Sequence, residues 1–173
     1  MTPNMTPRIV APRVVLRSAR AHEAAAISAL NNTFAGEKLM LARSPEVIGM
    51  AIDDYVVAVD ERNNILACGA LKEYSPSVAE VAAIAVAREA QGMGLGRKIV
   101  EQVERLALKR GIYDVFALTL QPEFFEAIGY SRVDRARYPE KIRRDCLSCT
   151  RRFACNEICY ARNLRVPELS AAA

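Results

Sequence analysis

The residues from Val81 to Val100 constrain this chain more than any other stretch. Val81-Ala82-Ala83-Ile84-Ala85-Val86 is a continuous apolar run of strand length, Gln91 to Gly96 is rich in glycine, and Ile99, Val100, Val103, Leu106 and Ala107 then recur at helical spacing. A buried strand, a glycine loop and an amphipathic helix in that order predict layered α/β structure. Glycines in such a loop let the backbone approach a bound group, and the first free amides of the helix point into the same space. Those amides and the positive end of the helix dipole favour an anion, with Gln91, Arg97 and Lys98 as further donors. A pyrophosphate fits this description. No Gly-Lys-Ser/Thr closes a Walker loop, and no acidic residue on a following short strand makes a dinucleotide fingerprint persuasive. Taken alone, the pattern also suits an ordinary strand-to-helix turn.

The surrounding chain supplies more elements. Met1 to Pro12 is a loose lead with three prolines. Val14 to Arg17 reads as a first strand, and Ser18 and Glu23 open a helix carrying Ala25, Ala26, Ile27, Leu30 and Phe34. Ser44 caps a short helix that begins at Pro45. Asp54–Asp60 and Ile65–Leu71 flank Glu61-Arg62-Asn63-Asn64, which predicts an antiparallel hairpin. Glu80 opens the central strand. Lys109-Arg110-Gly111 ends the long helix, Tyr113–Leu120 is a strand, Pro122–Ala127 a short helix, and Tyr130–Val133 a last strand. Mixed strands around one strand-loop-helix unit predict an α/β class fold, an α+β sandwich with a mixed central sheet flanked by helices.

With 173 residues, 51% hydrophobic and 25% charged, the chain has the size and composition of one globular domain. No apolar run reaches the ~20 residues a bilayer span needs, and the first residues lack the apolar core of a signal peptide, so the expectation is a cytoplasmic protein with no membrane partner. The net charge of +4 is uneven, because Arg132–Arg165 holds nine Arg and one Lys against four acidic residues. Aromatic residues do not interleave with these bases, so nucleic acid is not expected and a small polyanionic substrate is. The sole histidine, His22, falls in the first turn of a surface helix, which excludes Ser-His triads.

Cys146-x2-Cys149-x5-Cys155-x3-Cys159 places four of the five cysteines in one short segment. The four cysteines can close a zinc site as thiolates, remain reduced structural thiols, or form a redox pair or disulfide. Cys68, on an apolar strand, reads as core.

The stretch Val86–Gly96, with Gln91, Gly94 and Gly96 on a Gln/Arg-x-x-Gly-x-Gly/Ala pattern, resembles the acetyl-CoA signature of the GCN5-related N-acetyltransferases (GNAT). Glu123-Phe124-Phe125-Glu126-Ala127-Ile128-Gly129-Tyr130 resembles the second landmark of that family, and the likeness covers roughly residues 13 to 140. It implies the GNAT fold over 13–140, a basic cysteine-bearing extension over 141–173, and acetyl-CoA as cosubstrate. The implied cofactor contacts are Ile84, Ala85, Val86, Gln91, Gly92, Met93, Gly94, Leu95, Gly96, Arg97, Lys98 and Phe124, with a backbone amide near Ile84–Val86 as oxyanion donor.

Within that superfamily, Leu41–Glu46, Ile65–Leu71, Glu80–Val86, Val115–Thr119 and Phe124-Phe125-x-x-x-Gly129-Tyr130 resemble the acetyltransferase domains of the N-acetylglutamate synthase family in their short, stand-alone form. The implied reaction is acetylation of the L-glutamate α-amine, the first step of arginine biosynthesis. Bidentate cations suit a substrate with two carboxylates. Arg43 is the first candidate, with Lys141 and Arg144 as the second. Glu80 matches the glutamate that draws the ammonium proton through water. Phe125 stands where many relatives carry a tyrosine acid, so the thiolate leaves to solvent or is protonated by Tyr130 or Tyr160. The alternatives are another small amine or a protein N-terminus as acceptor, or a non-catalytic CoA- or metal-binding module. A homodimer is compatible with all of these.

Overall fold

The computed structural model describes residues 13–165. Seven strands, β1 (Val15–Ser18), β2 (Tyr55–Val59), β3 (Ile65–Ser75), β4 (Val78–Val86), β5 (Asp114–Thr119), β6 (Ser131–Arg132) and β7 (Ile158–Asn163), form one sheet in the order β1-β2-β3-β4-β5-β7-β6. The helices are α1 (Ala24–Gly36), α2 (Pro45–Met50), α3 (Leu95–Lys109), α4 (Pro122–Ala127) and α5 (Pro139–Lys141), the last running into a π-helical stretch, Ile142–Cys146. Neighbouring strands are antiparallel except β4 and β5.

Local chemistry produces several of these elements as expected, but Ser18 does not open α1: a short turn, Ala21–Glu23, precedes the helix, and the Glu23 carboxylate accepts from the Arg20 amide at 2.7 Å. The Ser44 hydroxyl accepts from Val47 N at 3.3 Å with Pro45 at the first helical position. In the β2–β3 hairpin, Asp60 Oδ1 accepts from the amides of Arg62 and Asn64, both at 2.8 Å, and Asn63 takes the left-handed conformation that asparagine tolerates. Gly111, at φ 75°, ends α3.

The apolar face of α3, Leu95, Ile99, Val100, Val103 and Ala107, buries against one side of the sheet with Val56, Leu71, Val81 and Val115. On the other side Ile27 and Phe34 of α1 and Ile48 of α2 cover Val57, Cys68 and Ala85. Two covered faces explain why β2 is buried at every position instead of alternating. The close fit of α3 depends on Gly69 of β3. A Cβ there would lie 2.5 Å from Ile99 Cγ2 and 2.6 Å from Ile84 Cδ1. Gly69→Ala is therefore expected to destabilise the protein by about 1–3 kcal/mol, the usual cost of overpacking, seen as a lowered denaturant midpoint at unchanged slope.

One strand differs from the sequence reading, which ended the sheet at Tyr130–Val133. Ile158–Asn163 inserts as β7 between β5 and β6, paired with β5 from Asp114↔Asn163 to Thr119↔Ile158. Cys159 and Tyr160 are buried there, Cys159 in a cluster with Tyr74, Phe116 and Tyr138. Among the described residues no helix is long and apolar enough to cross a membrane. The lead Met1–Pro12 lies outside the described residues.

Candidate active site

The parallel ladder between β4 and β5 runs from Val78↔Asp114 to Glu80↔Phe116 and stops. Beyond it lies a cleft of about 910 Å³. It is lined by Glu80–Val86 of β4, Gln91, Gly92 and Gly94–Arg97, residues 118–121 at and just past the end of β5, and Phe124 of α4, with Phe34, Leu39–Leu41, Arg43, Lys141 and Glu157 among the remaining residues.

The glycine loop enters α3 through two left-handed residues, Gly92 (φ 81°) and Gly94 (φ 74°), where other L-residues would cost about 1–2 kcal/mol. Gly94 caps the helix, and the first intrahelical bond at this end is Lys98 N to Gly94 O, so the amides of Leu95, Gly96 and Arg97 stand before the ladder begins. A Cβ on Gly96 would come within 3.2 Å of the Phe124 ring, so glycine lets α4 close on the start of α3. Gln91 Nε2 donates to Val86 O at 3.3 Å, bracing the loop against the end of β4. Of the expected cofactor contacts, Met93 and Lys98 are exposed and fall outside the cleft lining. The other ten line it together.

β4 is irregular where it faces the cleft. Its register with β3 jumps between Cys68↔Ala85 and Ala70↔Ala82, and Ala83 takes φ 54°. An extra residue of this kind re-aims backbone groups of the strand, and such bulges concentrate beside active sites.

At the near end of the cleft Glu80 sits in a charged cluster. Its Oε2 accepts from Lys141 Nζ at 2.8 Å and from the Tyr74 hydroxyl at 2.9 Å. Asp145 Oδ2 accepts from Lys72 Nζ at 2.6 Å, from Lys141 Nζ at 3.1 Å and from Tyr74. Burial pulls the Lys141 pKa down, but the Glu80 charge and the bonds to Glu80 and Asp145 outweigh it, leaving the net shift upward. Burial likewise opposes ionisation of Asp145, yet bonds from Lys72, Tyr74 and Lys141 hold its carboxyl well below the usual range.

Arg43, also in the lining, is fixed through its backbone. Its carbonyl accepts from Ser28 Oγ at 2.7 Å and Asn32 Nδ2 at 3.1 Å, and its amide donates to Asn32 Oδ1 at 3.0 Å. Asn31 Nδ2 holds Leu41 O at 2.9 Å. Two adjacent asparagines in a helix are a poor choice for the helix itself, and here they clamp the loop beside it. Among the described residues Arg43 is in no salt bridge, whereas Arg17, Arg88, Arg97 and Arg110 each are.

Residues 24–132 match the acetyltransferase (GNAT) family. The chain belongs to this family. It is 39% identical over 149 residues to an uncharacterized N-acetyltransferase of Chlorobaculum tepidum, covering 86% of this chain and 96% of that one. It is 31% identical over 132 residues, 75% of each chain, to the amino-acid acetyltransferase of Mycobacterium tuberculosis. Among solved structures, N-acetylglutamate synthase from Neisseria gonorrhoeae complexed with coenzyme A and N-acetyl-glutamate has a TM-score of 0.79 at 25% identity, over 91% of this chain and 36% of that chain. As a GNAT acetyltransferase the chain takes acetyl-CoA as its cosubstrate, and the glycine loop with the start of α3 is suited to its pyrophosphate.

In this acetyltransferase four sequence expectations need correction. The Tyr130 hydroxyl donates to Glu104 Oε1 of α3 at 2.9 Å and does not line the cleft. Tyr160 donates to Glu126 and is also outside it, so neither tyrosine is placed to protonate a thiolate. Arg144 donates to Glu73 O at 3.1 Å and does not line the cleft. Among the described residues no group of three or more His, Cys, Asp or Glu is arranged to hold a metal. The physical reason is visible in the cysteines: Cys159 is a core residue of β7 whose thiol burial pushes up to about 11, while Cys155 accepts from Arg135 at 3.5 Å and Cys149 from the Arg151 amide at 3.4 Å.

Proposed function

We propose that this acetyltransferase moves the acetyl group of acetyl-CoA to the α-amino group of L-glutamate, the reaction that opens arginine biosynthesis. The observation that carries the reading is Arg43, in the cleft lining with its backbone clamped by Ser28 and Asn32 and, among the described residues, no carboxylate paired with its guanidinium. A fork of donors in that position suits the side-chain or α-carboxylate of an acidic amino acid. The cleft lining supports it: Arg43, Arg88, Arg97 and Lys141 stand against Glu80 and Glu157, an excess of cations that disfavours polyamines and other cationic acceptors. The likeness to amino-acid acetyltransferases and to the gonococcal synthase points the same way.

In this reading the substrate ammonium gives one proton to Glu80 through water in the cleft, and the free amine attacks the thioester carbonyl. A backbone amide of Ile84–Val86 stabilises the oxyanion. On collapse the C–S bond breaks, and the second nitrogen proton goes by way of solvent to the departing thiolate. Glu80 returns its proton to solvent before the next turnover. The test is thiol release from acetyl-CoA with L-glutamate, L-aspartate, L-glutamine, L-lysine and spermidine. Preference for L-glutamate is expected, and turnover confined to cationic amines would overturn the assignment.

A further inference from the structure

Tyr74 has one hydroxyl proton and two carboxylate oxygens within hydrogen-bonding distance, Glu80 Oε2 at 2.9 Å and Asp145 Oδ2. When both acids are ionised, that proton serves one of them and leaves the other facing a phenol oxygen with nothing between. When Glu80 carries a proton the donors form one chain: Glu80 donates to Tyr74, and Tyr74 donates to Asp145. The remaining groups of the cluster keep both partners of Tyr74 ready for this exchange. Asp145 is held as a carboxylate by Lys72 and Lys141, so it remains available as an acceptor. Tyr74 stays a neutral hydroxyl, because burial and the charges of Glu80 and Asp145 raise its pKa.

We propose that Tyr74 is a hydrogen-bond switch for Glu80, with Asp145 as its second acceptor. The proposal rests on Glu80 being the base in acetyl transfer. With Glu80 ionised, the Tyr74 hydroxyl donates to it beside Lys141. When the substrate ammonium loses a proton and an O–H bond forms on Glu80, the hydroxyl turns to Asp145 and accepts from Glu80 instead. The soft terminal torsion of the glutamate lets either oxygen present the proton. No proton passes to Asp145, and release of the Glu80 proton to solvent turns the hydroxyl back. Each protonation state of the base thus has a complete set of partners, and the acid is not penalised by donors alone. Tyr74 and Asp145 are positioning residues here, supplied by β3 and by the stretch after α5.

The groups that face Glu80 and Tyr74 are Lys72 across from it on β3, Lys141, Arg144 and Asp145 from the segment after β6, and Cys159 of β7. Phe116 of β5 packs on the Tyr74 ring at 5.6 Å. Tyr74→Phe keeps that packing and removes the switch. Its kcat is expected to fall about tenfold or more with KM for acetyl-CoA unchanged.

The distinguishing readout is the acidic limb of the pH–rate profile. Asp145→Asn removes a negative charge near Glu80, favours the ionised base and should move the limb to lower pH, by about one unit. Lys141→Met removes a positive charge and should move it to higher pH. Loss of activity with the limb fixed, or moved the same way in both, would be the signature of a merely structural role and would overturn the proposal. So would wild-type kcat in Tyr74→Phe. Asp145→Asn is isosteric and decides the matter alone should Lys141→Met not fold. Glu80→Gln separates the two levels: full activity in that variant removes the base and the switch together, while an inactive Glu80→Gln beside an unchanged Tyr74→Phe removes only the switch.

Discussion

Replacing Arg43 with alanine is expected to raise KM for L-glutamate by about 10- to 150-fold, the worth of a charge-assisted hydrogen bond of ~1.5–3 kcal/mol, while acetyl-CoA binding is kept. The separation follows from the fold. Arg43 hangs from the loop that α1 clamps, whereas the cofactor loop belongs to β4 and α3. The backbone bonds from Ser28 and Asn32 do not involve the Arg43 side chain, so truncation leaves the clamp in place. Arg43→Lys should recover little, since a point charge on a flexible stem does not reproduce a planar fork. Steady-state thiol release at varied glutamate, with a CoA titration alongside, provides the check. An unchanged KM in Arg43→Ala would remove this residue from substrate recognition.

Glu80→Gln is expected to lower kcat by about 10²–10⁴, the range attributable to a positioned general base, with little effect on KM for acetyl-CoA. Stability should suffer less than activity. Lys141 loses its partner at 2.8 Å but keeps Asp145 at 3.1 Å, so the buried ammonium is not left alone. Circular dichroism and CoA binding would show the folded, cofactor-competent protein, against which the loss of turnover is read. Retention of wild-type kcat would mean that the ammonium loses its proton to solvent without help from this carboxylate.

How far the sequence carries the fold depends on whether the signal is local. The strand, glycine loop and helix of 81–100 are legible because strand periodicity, left-handed glycines and an amphipathic helix each leave a mark in consecutive residues. The β2–β3 hairpin and the Ser44 cap are legible for the same reason. β7 is not, because Ile158-Cys159-Tyr160-Ala161 is a short apolar run within a basic segment, and only its pairing with β5, far back in the chain, makes it a strand. The site divides the same way. The residues of the cofactor loop can be named from their motif, but the bond between Glu80 and Lys141 joins positions 61 apart. Tyr130 could be placed near the second landmark by sequence, while the side to which its hydroxyl turns is set by Glu104 on α3. Asn31 and Asn32 did carry a signal: a pair of poor helix formers inside α1, one of them buried, marks a tertiary task that overrides propensity.

The divergence of β4 from β5 has a consequence for the sheet itself. Past Glu80 and Phe116 the backbone of β4 has a strand partner on one side only, so amides and carbonyls between Val81 and Val86 open on the cleft where a ladder would ordinarily satisfy them. An extended, amide-bearing molecule laid along that edge completes the missing row. The arm of acetyl-CoA is a chain of this kind, so a cosubstrate laid there would act as a removable strand.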